Sequence, residues 1–404
     1  MEADAIWVGI DVGRYIHALC GIDASGAIVW KRQRVLNTTG AMRCALEKLS
    51  RVAKGRPLRF ATEEPAGNAS ALLRMLAAAG ETVYLAQPLR VYRFHLALGQ
   101  PHKTDPYDAQ VIAEFARQNA SNLPLVRLGT PATQALRVLS RRAEALSKDL
   151  RRCVNRLRGV LAEYAPEWLA CKVFRDWSSG AALGTLERYG RISKLRRARV
   201  SSLARALSQW TQGRYGEAQA RALIAAFAEV SLPPQLEEAY AQVICSLVSQ
   251  IRALIAERRQ LRVLVAAESE SLPAVAVLQS EFGYGPETAA VIVSEVGDMA
   301  DFPTEAAFAT YCGVTPLTRR SGVSRGSAHL SRFTNKRLLR AVTQAALTAA
   351  THHAESRLYY QKKLAGRSDP RTKTLALIAL ARHRARRLYK LLRRASLPSA
   401  EVAA

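Results

Sequence analysis

Residues 6–35 hold three strand-length apolar segments with nothing helical between them, and this order restricts the fold more than any other feature of the chain. Ile6–Val12, Ile16–Ile22 and Ala27–Val35 are separated by turns of a few residues, among them Ala24-Ser25-Gly26. Links this short fold each strand back on its neighbour as a hairpin meander. Helical periodicity takes over at about Gly40–Ala53, followed by a strand at Leu58–Glu63, a helix at about Ala69–Ala79 and a strand at Thr82–Ala86. Helical segments then surround Val91 and run from Pro106 to Gln118.

The order β-β-β-α-β-α-β-α is that of ribonuclease H-like folds, in which a meander continues through βα crossovers. The expected class is therefore α/β for this N-terminal part, joined to an all-α remainder. Leu136, Leu139, Ala143, Leu146, Leu150, Cys153, Leu157 and Val160 form a heptad seam that ends before Pro166, with arginines between them. Tyr240, Val243, Leu247, Ile251, Leu254 and Leu261 form a second seam. Two such helices, about 70 residues apart, suit an antiparallel coiled-coil arm or a dimerisation element, and equally a plain helical bundle. From Leu272 a further helical unit begins, in which Gly283-Tyr284-Gly285 turns into a helix ending at Gly297, as in helix-hairpin-helix units. The expected boundaries are 1–130 for the ribonuclease H-like domain, 131–268 for the helical middle with inserted helices, 269–365 for the C-terminal domain and 366–404 for a basic helical tail.

The net charge of +26, with a pI near 10.4, calls for a polyanionic partner or an anionic membrane surface. No apolar run approaches the roughly 20 residues of a membrane span, and Met1-Glu2-Ala3-Asp4 is acidic with no secretion signal after it. Nucleic acid is thus the favoured partner, with no membrane, and the expected location is cytoplasmic and nucleoid-associated. The six cysteines show no zinc-ligand spacing and read as reduced thiols. The charge is also polarised. From Thr315 onward there are 20 Lys or Arg against Glu355, Asp369 and Glu401, whereas the clustered acids lie near the N-terminus.

Asp11 closes the first strand in Gly9-Ile10-Asp11-Val12-Gly13, where a carboxylate either binds a metal or caps the turn. The same opening occurs in actin-like kinases. Glu63 and Glu64 end the fourth strand; alternation puts them on opposite faces, so one of them faces Asp11. Asp105 and Asp108, in Lys103-Thr104-Asp105-Pro106-Tyr107-Asp108, suit the N-cap and N3 positions of a helix. Three residues apart, they also share a helix face and can converge on one cation. Several carboxylates at one sheet edge repel one another unless Mg²⁺ or Mn²⁺ lies between them, and paired ions of this kind serve phosphoryl transfer. Near the C-terminus, Arg319-Arg320-Ser321-Gly322 and Ser324-Arg325-Gly326 read as a polar loop leading through Ser331-Arg332 into a basic helix at Lys336-Arg337. Such a loop binds phosphate; its serines either donate hydrogen bonds or act as nucleophiles, though no neighbouring residue is an obvious base.

Taken in order, these segments resemble the DEDD transposases of bacterial insertion sequences, whose members are directed by a structured bridge RNA. The matching stretches are Gly9–Gly13, Glu64-Pro65-Ala66-Gly67, Lys103–Ala109, Gly283–Pro286 and Tyr311–Pro316 with Ser321-Gly322, spanning about residues 5–350. The resemblance implies a RuvC-like domain with a metal-binding tetrad at Asp11, Glu64, Asp105 and Asp108, the family's Glu-x-x-Gly pattern selecting Glu64. It implies a nucleophile at Ser321, with Ser331 as the fallback, and a composite site shared between subunits of a dimer or tetramer. The implied partners are element-end DNA, target DNA and a guide RNA. Nucleic-acid contacts are expected at Gly283, Gly285, Arg319, Arg320, Arg325, Arg332, Lys336 and Arg337. Two positions depart from the family pattern: Phe282 replaces a proline, and Thr334 stands at a glycine position. A junction endonuclease with water as nucleophile shares the carboxylates. An ATPase and a non-enzymatic nucleic-acid-binding protein are the remaining alternatives.

Overall fold

The computed structural model describes residues 4–99, 105–319, 327–330 and 334–396. The N-terminal elements are β1 (Ile6–Asp11), β2 (Ile16–Ile22), β3 (Ile28–Leu36), α1 (Thr39–Ala53), β4 (Leu58–Thr62), α2 (Ser70–Ala78), β5 (Thr82–Leu85), α3 (Pro88–Ala97) and α4 (Asp105–Asn119). The five strands form one sheet in the order β3-β2-β1-β4-β5. The meander pairs antiparallel, while β4 joins β1 in parallel and β5 joins β4 in parallel. This mixed sheet is compatible with a ribonuclease H-like domain.

Strand alternation sorts the sheet's side chains into two cores. Ile6, Val8, Ile10, Leu19 and Phe60 pack in one core with Leu49 of α1 and Leu72 and Leu76 of α2. On the opposite face Trp7, Ala18, Cys20 and Ala61 meet Ala109, Ile112, Ala113 and Ala116 of α4. Small residues let α4 lie close on the sheet. The closest approach is at Gly9, where an added Cβ would stand 1.9 Å from the Ala109 carbonyl oxygen and 2.5 Å from the Ala113 nitrogen.

The chain beyond this sheet continues as α5 (Pro131–Tyr164), five shorter helices α6–α10 between Glu167 and Ala226, α11 (Pro234–Glu270), α12 (Pro273–Gln279), α13 (Pro286–Val296) and α14 (Glu305–Tyr311). A two-stranded hairpin follows, β6 (Pro316–Arg319) with β7 (Ser327–Leu330), and then α15 (Lys336–His352), α16 (Ala354–Leu364) and α17 (Pro370–Ser396). The chain groups into two compact units. One comprises residues 1–134, 295–346 and 358–404, and the other residues 135–294 and 347–357.

In the second unit α5 and α11 run antiparallel. Arg142 pairs with Glu257 at 2.6 Å, and the Cys153 thiol donates to the Leu247 carbonyl at 3.9 Å. Tyr164 stacks on Tyr240 at 4.8 Å. Leu146, Leu150, Cys153 and Leu157 are buried, as the first seam predicts, but at its end Leu161 is buried in place of Val160. The second seam differs from expectation. Val243 is 46% exposed, and α11 packs instead through Ile244, Leu247, Val248 and Ile251. The α6–α10 helices enclose that core through Trp168, Leu186, Leu203 and Phe227. Contrary to the reading of the apolar runs, α11 has the length and, over one 18-residue stretch, the mean hydropathy (1.4) of a membrane span. Its buried Ile244 to Ile251 face belongs to the helical core.

Gly9→Ala places a methyl group against the backbone of α4, so the helix must retreat from β1. We expect a loss of about 1–3 kcal/mol in urea unfolding. A fully stable variant would show that this close approach does not position the helix.

Candidate active site

Asp11 is the last residue of β1 and faces α4, as do Trp7 and Gly9 before it. The turn that follows is tight. A Cβ on Gly13 would stand 2.1 Å from the Ile16 carbonyl oxygen, so glycine is needed for β2 to begin. Parallel pairing of Gly9 with Ala61 and Ile10 with Thr62 brings the residue after Thr62, Glu63, beside Asp11. Asp108 approaches from the first turn of α4. Asp11, Glu63 and Asp108 line a single cavity of about 460 Å³, together with His95, Tyr92 and Val91 of α3. The His95 Nδ1 lies 4.0 Å from the Asp108 carboxylate, and its ring meets Tyr107 edge-on at 5.5 Å. Sequence reasoning missed His95, since a lone histidine on a short helix carries no pattern.

Glu64 takes a different position. Its Oε1 accepts the Asn68 backbone N–H at 3.0 Å, and its own N–H donates to Thr62 Oγ1 at 3.2 Å. Gly67, with φ +68°, passes directly beneath: a Cβ there would lie 2.1 Å from the same Oε1. The spacing Glu-x-x-Gly thus has a local cause, because only glycine leaves room for the carboxylate over the turn. Asn37 ties this turn to the end of β1, donating to the carbonyls of Arg14 and Asn68 at 3.2 Å each. His17 lies buried on the same side of the sheet. Burial holds its pKa below the ordinary 6.5, against the opposing influence of Asn37 and Glu64.

Ser321, Arg320, Arg325, Ser331 and Arg332 lie outside the described residues, and for Asp105 and Arg319 only the backbone is described. Asp105 begins α4. Arg319 ends β6, within the segment read from the sequence as a loop; strands of four residues interrupted by Arg and Pro carry too little alternation to be read. Gly283 (φ +91°) and Gly285 belong to the turn between α12 and α13. Phe282, at the departing position, stacks on His353 at 5.3 Å. Thr334, the other departure, lies against Gly313, within 3.0 Å of where a Cβ would be.

Lys336 is exposed at the start of α15. Arg337 is 20% exposed and paired at 2.8 Å with Glu295, whose carboxylate is 2% exposed. The Asn335 side-chain amide donates to the same carboxylate at 2.8 Å, while its Oδ1 accepts the N–H groups of Arg337 and Leu338 and so caps α15.

A cavity with carboxylates from β1, the β4 end and α4 offers hard oxygen donors and no thiol, the donor set that divalent Mg²⁺-like ions take. Among the described residues no three His, Cys, Asp or Glu are already gathered closely enough to enclose an ion. An ion bound there would have to draw the carboxylates together.

Two family models match the chain. A DEDD transposase model covers residues 8–166, and the model described as the transposase IS116/IS110/IS902 family covers residues 275–361. The insertion element IS110 protein of Streptomyces coelicolor is 31% identical over 395 residues, covering 97% of this chain and 95% of that protein. The IS116 protein of Streptomyces clavuligerus is 30% identical over 398 residues, with 96% and 95% covered. The mini-circle putative transposase for IS117, also from S. coelicolor, is 24% identical over 327 residues, 78% of each chain. The sheet, its edge carboxylates and these matches define a DEDD-type transposase, an enzyme of DNA recombination. Within that class, the chain belongs to the IS110 family of insertion-element transposases. Membership points to the use of a divalent metal.

The depressed pKa of His17 has a definite sign in stability. Below pH 6.5 the unfolded chain takes up a proton that the buried ring resists, so stability falls as pH drops from 6.5 towards the lowered folded value. Urea midpoints measured from pH 7.5 to 5 should therefore decline below pH 6.5, and the decline should be shallower in His17→Gln. Parallel profiles for the two proteins would remove His17 as a source of the acid sensitivity.

Proposed function

We propose that this chain cuts and rejoins DNA at the ends of its element and at a target site, through Mg²⁺ (or Mn²⁺) held by Asp11, Glu64, Asp105 and Asp108 and a nucleophile at Ser321. The observation that carries the reading is the convergence of Asp11 and Asp108 from β1 and α4 on one cavity, beside the glutamate pair that follows β4. When bound there, the metal supplies charge neutralisation at the reacting phosphate. The protein's share is positional. The sheet register fixes Asp11 beside the glutamate pair, and the seating of α4 on Gly9 fixes Asp108.

For the glutamate, the family pattern favours Glu64 and the strand register favours Glu63. Glu64 joins the site by releasing the Asn68 N–H and swinging towards Asp11; Glu63 already lines the cavity. We assign Glu64 as the ligand and Glu63 as a neighbouring acid. The Ser321 hydroxyl would attack phosphorus and lose its proton, the displaced deoxyribose oxygen would leave with one, and a phosphoserine would hold the cut strand until exchange. Arg319, Arg320 and Arg325 are the proposed partners of the phosphate charge, with Lys336 at the start of α15, and Gly283 and Gly285 the proposed backbone contacts. A bridge RNA as guide, and a dimer or tetramer in which one subunit's carboxylates meet another's serine, rest on the family resemblance.

A covalent-adduct assay tests the mechanism. The protein, RNA transcribed from the flanking DNA, labelled element-end and target DNA and Mg²⁺ are combined and resolved on denaturing gels. The expected adduct disappears in Asp11→Ala and Ser321→Ala and persists in Ser331→Ala. Omitting the RNA should abolish it. Cleavage without an adduct, undiminished in Ser321→Ala, would overturn the serine mechanism in favour of a junction endonuclease using water.

The glutamates separate in the same assay. Glu64→Gln should lower cleavage by at least about 100-fold, the scale at which loss of a group acting on the transition state is felt, and Glu63→Gln by less than about tenfold. The reverse order would transfer the ligand role to Glu63.

A further inference from the structure

The solvent face of α5 carries a concentration of cations that the proposed chemistry does not use. Between residues 141 and 158 the chain has seven Lys or Arg and two acids, Glu144 and Asp149. At about 100° per residue, Leu146, Leu150, Cys153 and Leu157 share the buried side, Arg141, Lys148, Arg151 and Arg152 fall on the opposite one, and Arg156 and Arg158 flank it. Both acids are already engaged within the helix, Glu144 by Lys148 at 2.9 Å and Asp149 by Arg152 at 3.0 Å. Arg151, Arg156 and Arg158 are exposed and have no carboxylate partner among the described residues.

A solvated helix face ordinarily mixes charges at i and i+4, because like charges at that spacing repel. Here the excess of five positive charges spreads over about 25 Å of helix, and neighbouring cations four residues apart stand about 6 Å apart along the axis. That is a ridge of charge matched to a phosphate chain. No aromatic side chain lies between residues 141 and 158, so the ridge lacks the stacking platforms that single strands require. Asn155 is the only exposed uncharged side chain of base-reading type in that stretch, so the surface is dominated by groups suited to phosphate contact.

We infer that the exposed face of α5 is a docking rail for the backbone of duplex DNA. The choice of DNA rests on the reading of the chain as a DNA-recombining enzyme; the rail itself rests on the charge pattern of α5. The test is equilibrium binding of the full-length protein to a labelled DNA duplex, without metal so that no cleavage contributes, over a range of salt concentrations. Arg151→Ala/Arg156→Ala/Arg158→Ala should bind on the order of tenfold more weakly near 0.1 M salt. Its slope of log affinity against log salt should be shallower by roughly 2.7, about 0.9 for each phosphate contact removed. The triple Arg→Lys variant should retain the wild-type slope, and thermal unfolding should be the same for all three proteins.

Unchanged affinity and slope in the alanine variant would overturn the rail. So would a loss confined to an RNA duplex of the same length, since the surface would then serve the guide and not the DNA. Because binding is read without metal, the rail can fail while the carboxylate and serine chemistry stands. Equally, an adduct assay that failed would leave the binding result intact.

Discussion

The seating of α4 on β1 is the contact on which the catalytic geometry depends. The sheet edge alone supplies Asp11 and the glutamate pair, both fixed by strand register. A third carboxylate has to arrive from another element, and α4 brings it by lying on Gly9 through Ala109 and Ala113. Removing side chains from both surfaces gives up apolar area. What is gained is a helix close enough for Asp108 to reach the cavity that Asp11 lines. Packing and chemistry are therefore coupled through a position, Gly9, that contributes no functional group.

The two turns flanking the carboxylates show the same coupling at smaller scale. Gly13 permits the reversal after Asp11, and Gly67 permits Glu64 to sit over its own turn. Asn37 then binds the two turns to each other through the carbonyls of Arg14 and Asn68. A turn of this kind holds the Glu64 carboxylate in place near the end of β4. The ligand role proposed for Glu64 asks it to exchange one neutral donor, the Asn68 N–H, for a cation shared with the neighbouring carboxylates.

Much of this was legible in the sequence, for identifiable reasons. The strands and helices of residues 6–119 alternate strongly, and Ile16–Ile22 was read to the residue. The burial of Leu146, Leu150, Cys153 and Leu157 follows from heptad spacing. Where patterns are short or ambiguous, the reading failed. The β6–β7 hairpin has four-residue strands. On α11, Val243 and Ile244 are adjacent apolar residues, and periodicity cannot say which of them faces the core. The pair Glu63-Glu64 poses the same problem, as alternation requires opposite faces without naming which is which. His95 and Glu295 were invisible because their roles come from residues distant in sequence, Asp108 and Arg337.

Charge links the site to the rest of the chain. Carboxylates that converge on one cavity repel, and so do cations that line one face of α5; each arrangement destabilises the isolated fold relative to a mixed surface. Where an anion and a cation of the same protein can pair, they do: Glu295, 2% exposed, holds Arg337, and Arg127 bridges Asp298 and Asp301 at 3.0 and 2.9 Å. On the reading proposed for this chain, the clustered carboxylates take a small hard cation and the cationic excess of α5 takes a polyphosphate. DNA is a ligand for both, since its phosphate is bound by cations directly and by carboxylates through a metal. On the proposed reading, holding DNA along a helix while acting on a single linkage calls for both kinds of surface.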